Sequence, residues 1–243
     1  ARFGLDNVRT ERIIPGNGTV AASESVQSGL EETADPDAAE EADTIEETMT
    51  ASPESTTYVA AAGGVLVGYT GVFQKSGTSY EDTALENIQT LQEQGAQIIV
   101  VEIGWTSQNA DMPDDSQILT AHKLIDAGAD LVIGIQPYIL QGIEQYHGKY
   151  IVYSLGSFMT PDETPKSYDS IIYQQSFVIE EGQEPAVGEY NIIPCRISSV
   201  NGVNDCRPTP YEEADAQRVL DSIYDLSAQM DGGVYPPSQT GES

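Results

Sequence analysis

The chain has 243 residues, with 39 acidic and 10 basic side chains and a formal charge of −29 at neutral pH. A surface this negative repels phosphate backbones and anionic lipid, which excludes nucleic acid and leaves solubility, cation attraction or a cationic partner. The length fits one sizeable domain with an appendage, and no run of eighteen apolar residues offers a transmembrane helix.

Residues 1–20 have no definite fold in the sequence. Phe3, Leu5, Ile13 and Ile14 can supply a strand or a short helix, and Pro15-Gly16-Asn17-Gly18 reads as a turn. The chain opens on Ala1 without a signal-peptide pattern, which reads as a mature form or as a chain from which targeting segments were removed. Residues 21–57 form an acidic low-complexity loop; positions 24–54 alone hold eleven Asp or Glu and no Lys or Arg. Such composition buries too little apolar surface to offset the entropy of ordering. The spacing of a calcium-binding EF-hand is absent. Outside positions 24–54 acidic residues still outnumber basic ones by eighteen, so the folded part is acidic too.

The main domain is expected over 58–230. Gly63-Gly64 marks a hairpin turn before a strand at Val65–Thr70. Asp82 is the expected cap of a helix whose Leu85, Ile88 and Leu91 share a face and which stops at Gly95. Ile98–Ile103 is an apolar run broken only by Glu102, fitting a strand covered on both faces. Ser116 is the expected cap of a second helix, with Ile118, Leu119, His122 and Ile125 on one face and Gly128 at its end. Leu131–Ile133 follows as a buried strand. Two βαβ units in succession make a parallel sheet. In such sheets the site loops follow the carboxyl ends of the strands, here Gly104-Trp105-Thr106 and Gly134-Ile135-Gln136-Pro137-Tyr138.

Beyond Tyr138 the pattern turns antiparallel. Gly142–Tyr146 and Tyr150–Leu155 flank a turn at His147-Gly148, and strands follow at Ile171–Ile179 and Val187–Ile193, the last ended by Pro194. Cys195 and Cys206 flank an Asn201-Gly202 turn, so a hairpin carries them either as a disulfide in an oxidising compartment or as two free thiols. A helix from Glu212 to Met230 has Ala216, Val219, Leu220, Ile223 and Leu226 at helical spacing, and 231–243 is a loose tail. The fold class is α/β: a layered sheet with βαβ units, antiparallel strands in the C-terminal part and a C-terminal helix.

The stretch AHKLIDAGADLVIG, with the following LQGIE and IVYSLGSF, resembles the capsule-synthesis CapA/PgsA family, named for poly-γ-glutamate production. The resemblance covers about 58–230, is most specific between Ala121 and Phe158, and implies a calcineurin-type metallophosphoesterase-like fold. It also implies a His-Trp-Gly after the first strand and a Gly-His-His-Pro-His after the second. Here those positions read Gly104-Trp105-Thr106 and Gly134-Ile135-Gln136-Pro137-Tyr138, and the YSLGNF strand end becomes Gly156-Ser157-Phe158. Every implied ligand histidine is missing, and Gly and Ile offer no donor for a transition metal. The earlier half-domain, with its Gly-Asp and Asn-Asn-His motifs, has no counterpart, so the chain reads as starting inside the family's domain.

The expectation is therefore a non-catalytic, extracytoplasmic protein of the bacterial surface. It would act in binding or assembly linked to capsule or poly-γ-glutamate synthesis or export, with no metal or cofactor. Its partner would be a glycan, the polyanion-synthesis machinery or a cationic protein. Two alternatives stand beside it: a phosphoesterase-like hydrolase whose first half is supplied elsewhere, and a self-assembling surface or filament subunit. With the resemblance, the cysteines favour a disulfide and an extracytoplasmic home. Trp105, Gln136 and Tyr138, with Ser157, form either a patch able to hold a sugar or peptide, or a plug where a metal centre was lost. His122 reads as a hydrogen-bonded core histidine and His147 as surface. Glu102 reads as meeting solvent or pairing with Lys or Arg, and Asp111, Asp114 and Asp115 as a solvated loop.

Overall fold

A computed structural model describes residues 57–62, 64–73, 79–105, 110–158, 168–180, 183–200 and 203–236. The 1–20 segment, the acidic loop up to 56, and Thr106, Asn201 and Gly202 lie outside them. Strands β1 (Thr57–Ala62) and β2 (Val65–Phe73) form an antiparallel hairpin with Ala62 opposite Val65. Gly64, at φ 82°, takes the left-handed turn position that disfavours a side chain.

Helix α1 (Tyr80–Glu93) is capped by Ser79, whose side chain accepts the Asp82 N–H at 3.2 Å. Asp82 therefore lies in the first turn instead of capping it. Strand β3 (Ile98–Gly104) runs parallel to β2. Helix α2 (Asp115–Asp126) starts earlier than expected, because Asp114 and Gln117 close a capping box: Asp114 Oδ1 accepts the Gln117 N–H at 2.9 Å, and Gln117 Oε1 the Asp114 N–H at 3.0 Å. Such a cap contributes about 1 kcal/mol. The inward face of α2 also differs from the expected one. Gln117, Thr120, Ala121, Leu124 and Ile125 are buried, while Leu119 is 58% exposed. Two polar residues can face inward because each has a partner: Gln117 donates to Gln141 at 3.5 Å and Thr120 to Glu81 at 2.8 Å.

Strand β4 (Leu131–Gly134) and the hairpin β5 (Ile143–Tyr146) and β6 (Lys149–Val152) complete a six-stranded sheet ordered β1-β2-β3-β4-β6-β5. It is parallel from β2 through β6 and antiparallel at both ends. A second sheet contains β7 (Asp169–Val178), β8 (Ala186–Arg196) and β9 (Thr209–Pro210), and helix α3 (Glu213–Ser227) follows. Successive strand residues point to opposite faces. Val132 and Ile151 accordingly join Ile88, Leu91 and Leu124 in one core under α1 and α2. Leu131, Ile133 and Val152 join Ile171, Ile192, Val219 and Ile223 in a second. Burial of each such aliphatic chain contributes about 1.5–3 kcal/mol.

Three expectations in the C-terminal part change. Pro194 does not end β8, which continues to Arg196; Pro194 lies opposite Ile171 and its carbonyl takes the Tyr211 N–H at 2.8 Å. Residues 231–236 are not a loose tail throughout. Gly232 O accepts the Gln145 N–H at 2.8 Å and Val234 N–H donates to Ile143 O at 3.0 Å, so this segment straps the β5 edge. Finally, Cys195 and Cys206 are free. The hairpin exists, but its register sets Cys195 opposite Pro210, leaving Cys206 exposed in the connecting loop at φ 56°. Among the described residues no helix is long and apolar enough to cross a membrane.

Candidate functional site

The parallel strands β3 and β4 end side by side, Ile103 opposite Gly134, which brings the two expected site loops together. Their side chains divide sharply by exposure. Trp105 is 1% exposed and its indole Nε1–H donates to Tyr153 O at 2.8 Å. Gly134 makes this contact possible. A Cβ there would fall inside the Tyr153 carbonyl oxygen and Trp105 Nε1, and 2.8 Å from the Tyr153 carbonyl carbon. At the preceding strand end, a Cβ on Gly104 would lie 2.7 Å from the Phe73 ring. Trp105 thus fills the space between the strand ends and presents no surface for a ligand.

Gln136 and Tyr138 belong to the loop after β4. Gln136 Nε2 donates to the Tyr138 hydroxyl at 3.2 Å, and Tyr138 is 46% exposed. The loop is held by Ser154, whose Oγ donates to Pro137 O at 2.7 Å. Ser157 is buried, at 4% exposure. Of the four residues singled out from sequence, the structure keeps Gln136 and Tyr138 together at the surface and buries Trp105 and Ser157.

Behind Trp105 runs a polar chain that the sequence did not reveal. The Tyr153 hydroxyl donates to Glu144 Oε2 at 2.7 Å, and Glu144 Oε1 lies 2.7 Å from His122 Nε2. The His122 ring stacks on Tyr146 at 3.8 Å, which stacks on His147 at 4.0 Å. Burial and the Glu144 carboxylate push the Tyr153 hydroxyl far above the ordinary phenol range, so it stays a donor. His122 is the hydrogen-bonded histidine that its helix position suggested. Glu144 escaped notice because β5 reads as an alternating strand, whereas His122, Tyr153 and the 232–234 strap all meet it and it is 4% exposed.

Glu102 corrects its expected role. It is 7% exposed and pairs with no Lys or Arg among the described residues; it accepts the Tyr69 hydroxyl from the neighbouring strand. Burial raises its carboxyl above the usual range. Asp114 and Asp115 serve the start of α2, one as cap and one in the first turn, and Asp111 is exposed. His147 is exposed, as expected, and sits 3.1 Å from Asp126.

The donor set does not fit the metal that the resemblance implies. At the ends of β3 and β4 stand Gly104, Trp105, Gly134 and Ile135, without an imidazole or carboxylate among them. Among the described residues no three His, Cys, Asp or Glu side chains converge as a metal-binding group.

Residues 6–162 match the bacterial capsule synthesis protein PGA_cap. The chain belongs to that family. The match starts well before β1 and ends ahead of the second sheet, so it is placed differently from the 58–230 span expected. PGA biosynthesis protein CapA of Bacillus subtilis is 32% identical over 118 residues, 49% of this chain and 28% of that protein. Capsule biosynthesis protein CapA of Bacillus anthracis is 33% identical over 79 residues, 32% of this chain and 19% of that one. The chain thus aligns with less than a third of either relative's length. A putative 5′-nucleotidase from Staphylococcus aureus, solved with alpha-ketoglutarate, aligns at a TM-score of 0.39 and 14% identity over 72% of this chain and 34% of that one. A likeness that shallow carries no argument. In this PGA_cap chain the matched residues include both loops, the one after β3 and the one after β4.

Proposed function

We propose that this chain is a non-catalytic, extracytoplasmic component of capsule or poly-γ-glutamate synthesis, acting by binding or assembly. One observation carries the reading. Where the resemblance implies histidine donors the chain has Gly104, Ile135, Gln136 and Tyr138: a Cβ on Gly104 would lie 2.7 Å from the Phe73 ring, and Gln136 Nε2 donates to the Tyr138 hydroxyl at 3.2 Å. Two-metal hydrolysis requires its ligand set. The charge of −29 opposes direct binding of a polyanion, so the partner is the synthesis machinery or a cationic protein in preference to the polymer.

The test is elemental analysis of protein purified without chelator, then incubated with manganese, zinc or calcium, alongside hydrolysis of bis(p-nitrophenyl) phosphate. Substoichiometric metal and no hydrolysis above buffer are expected. Stoichiometric transition metal with turnover would overturn the reading and favour the hydrolase alternative. Protease accessibility on intact cells checks the extracytoplasmic placement.

A further inference from the structure

The two sheets present four edges, and three of them are short or already engaged. The β5 edge carries the 232–234 strap. Strand β9 is two residues long and ends in Pro210, a residue that blunts an edge. Strand β1 has six residues, and Thr57 at its start already has a partner. Strand β7 is different. It has ten residues and pairs with β8 on one side. On its other side, among the described residues, only its first residues are engaged, Ser170 bridging Gly156 and Ile171 N–H donating to Leu155 O at 3.1 Å.

That last bond fixes which backbone groups are open. Ile171 N–H points away from β8, and backbone direction alternates along a strand. The N–H and C=O of Tyr173 and Gln175 therefore face outward, while those of Ile172 and Gln174 face β8. The strand runs Ser-Ile-Ile-Tyr-Gln-Gln-Ser-Phe-Val from 170 to 178 without a charge or a proline. Ile172 is 38% exposed, and Gln174 and Ser176 are exposed beside it. A bulge between Gln175 and Phe177 ends the regular ladder. Proteins ordinarily guard such an edge with charge or proline, and this chain, one fifth charged overall, places neither here.

We infer that the β7 edge from Ile172 to Gln175 is a docking site for an extended, basic segment of a partner polypeptide, added as a further strand of the second sheet. Main-chain bonds to Tyr173 and Gln175 would supply affinity, as in other strand-addition complexes. Charge selects the occupant. Glu180, Glu184 and Glu189 are exposed beyond the bulge and on β8. At the other end Asp169 is already paired with Arg218, at 2.8 Å. A second copy of this chain would bring another charge of −29 to the same place, whereas lysines or arginines along an added strand meet the carboxylates. The inference holds whatever chemistry the β3–β4 loops perform.

The probe is a fluorescein-labelled decapeptide of alternating valine and lysine, with a valine–glutamate decapeptide as control, titrated into the full chain. Amide exchange is followed by NMR. Binding of the basic peptide at least about tenfold tighter than the acidic one is expected, weakening with salt. Exchange at the Tyr173 and Gln175 amides should slow at least about tenfold on binding, while Ile172 and Gln174 are protected beforehand. The double variant Ile172→Lys, Gln174→Lys places charge on exposed positions and should abolish binding at unchanged Tm. Equal affinity for both peptides, or binding without protection at Tyr173 and Gln175, would overturn the inference. Self-association through β7 in sedimentation without peptide would do the same by naming a second copy as the occupant.

Discussion

Substituting Gly134 by alanine tests the packing of the strand ends directly. A Cβ at 134 cannot coexist with the Trp105–Tyr153 contact, since it would lie inside both hydrogen-bonding atoms and 2.8 Å from the Tyr153 carbonyl carbon. Either Trp105 or the Tyr153 backbone must move. Losing the bond leaves a buried N–H and a buried C=O unpaired, costing about 1–3 kcal/mol. Overpacking against the surrounding core adds about 1–3 kcal/mol. The sum, about 2–6 kcal/mol, is a large share of the roughly 5–15 kcal/mol that holds a domain folded. Trp105 is the chain's sole tryptophan, so its fluorescence reports this site alone. Urea unfolding followed at Trp105 should show a midpoint lowered by about 0.7–3 M, taking a slope of about 2–3 kcal/mol per M. The native emission should also shift to longer wavelength. An unchanged emission maximum with a loss below about 0.5 kcal/mol would refute the account of Gly134.

Three further outcomes are expected. Because Glu102 is raised by burial, the folded state holds its proton longer than the unfolded state; stability should fall as pH rises from the ordinary carboxylate range through the raised value. Glu102→Gln keeps an acceptor for Tyr69 and should flatten that fall, giving a higher Tm than wild type at about pH 8 and little change at about pH 4. Glu144→Ala removes the acceptor of the Tyr153 hydroxyl and the partner of His122, and a loss of about 2–4 kcal/mol by urea titration is expected. The neighbouring Gln145→Ala, at an exposed position of the same strand, should be near-neutral in the same titration. With Ellman's reagent, Cys206 should react in the native protein and Cys195 only on unfolding, since one is exposed and the other buried with its thiol raised by desolvation. Absence of both thiols before reduction would restore the disulfide.

Much of the main sheet was legible because it rests on local pattern. The apolar runs at Ile98–Ile103 and Leu131–Ile133 and the His147-Gly148 turn gave β3, β4 and the β5–β6 hairpin nearly as found. The helix caps differ from expectation by a few residues, since Ser79 and Asp114 compete with equally plausible Asp82 and Ser116, and the choice depends on which N–H groups each side chain reaches. The site was legible only in place. The loops after β3 and β4 do meet, but nothing local says that Trp105 turns inward onto Tyr153, 48 residues later, or that Glu144 is sealed by a strap near the C-terminus.

The sequence by itself determined the α/β class, the strand ends where a site would lie, the family resemblance and the replacement of its histidine positions by residues without imidazole. Those are properties of residue type and short-range spacing. Tertiary structure decided the rest: the register that sets Cys195 opposite Pro210, the burial of Glu102 against Tyr69, and the open edge of β7. Each is a pairing between segments far apart in the chain. Its energy depends on which groups are left without water, and no local pattern of residues records that.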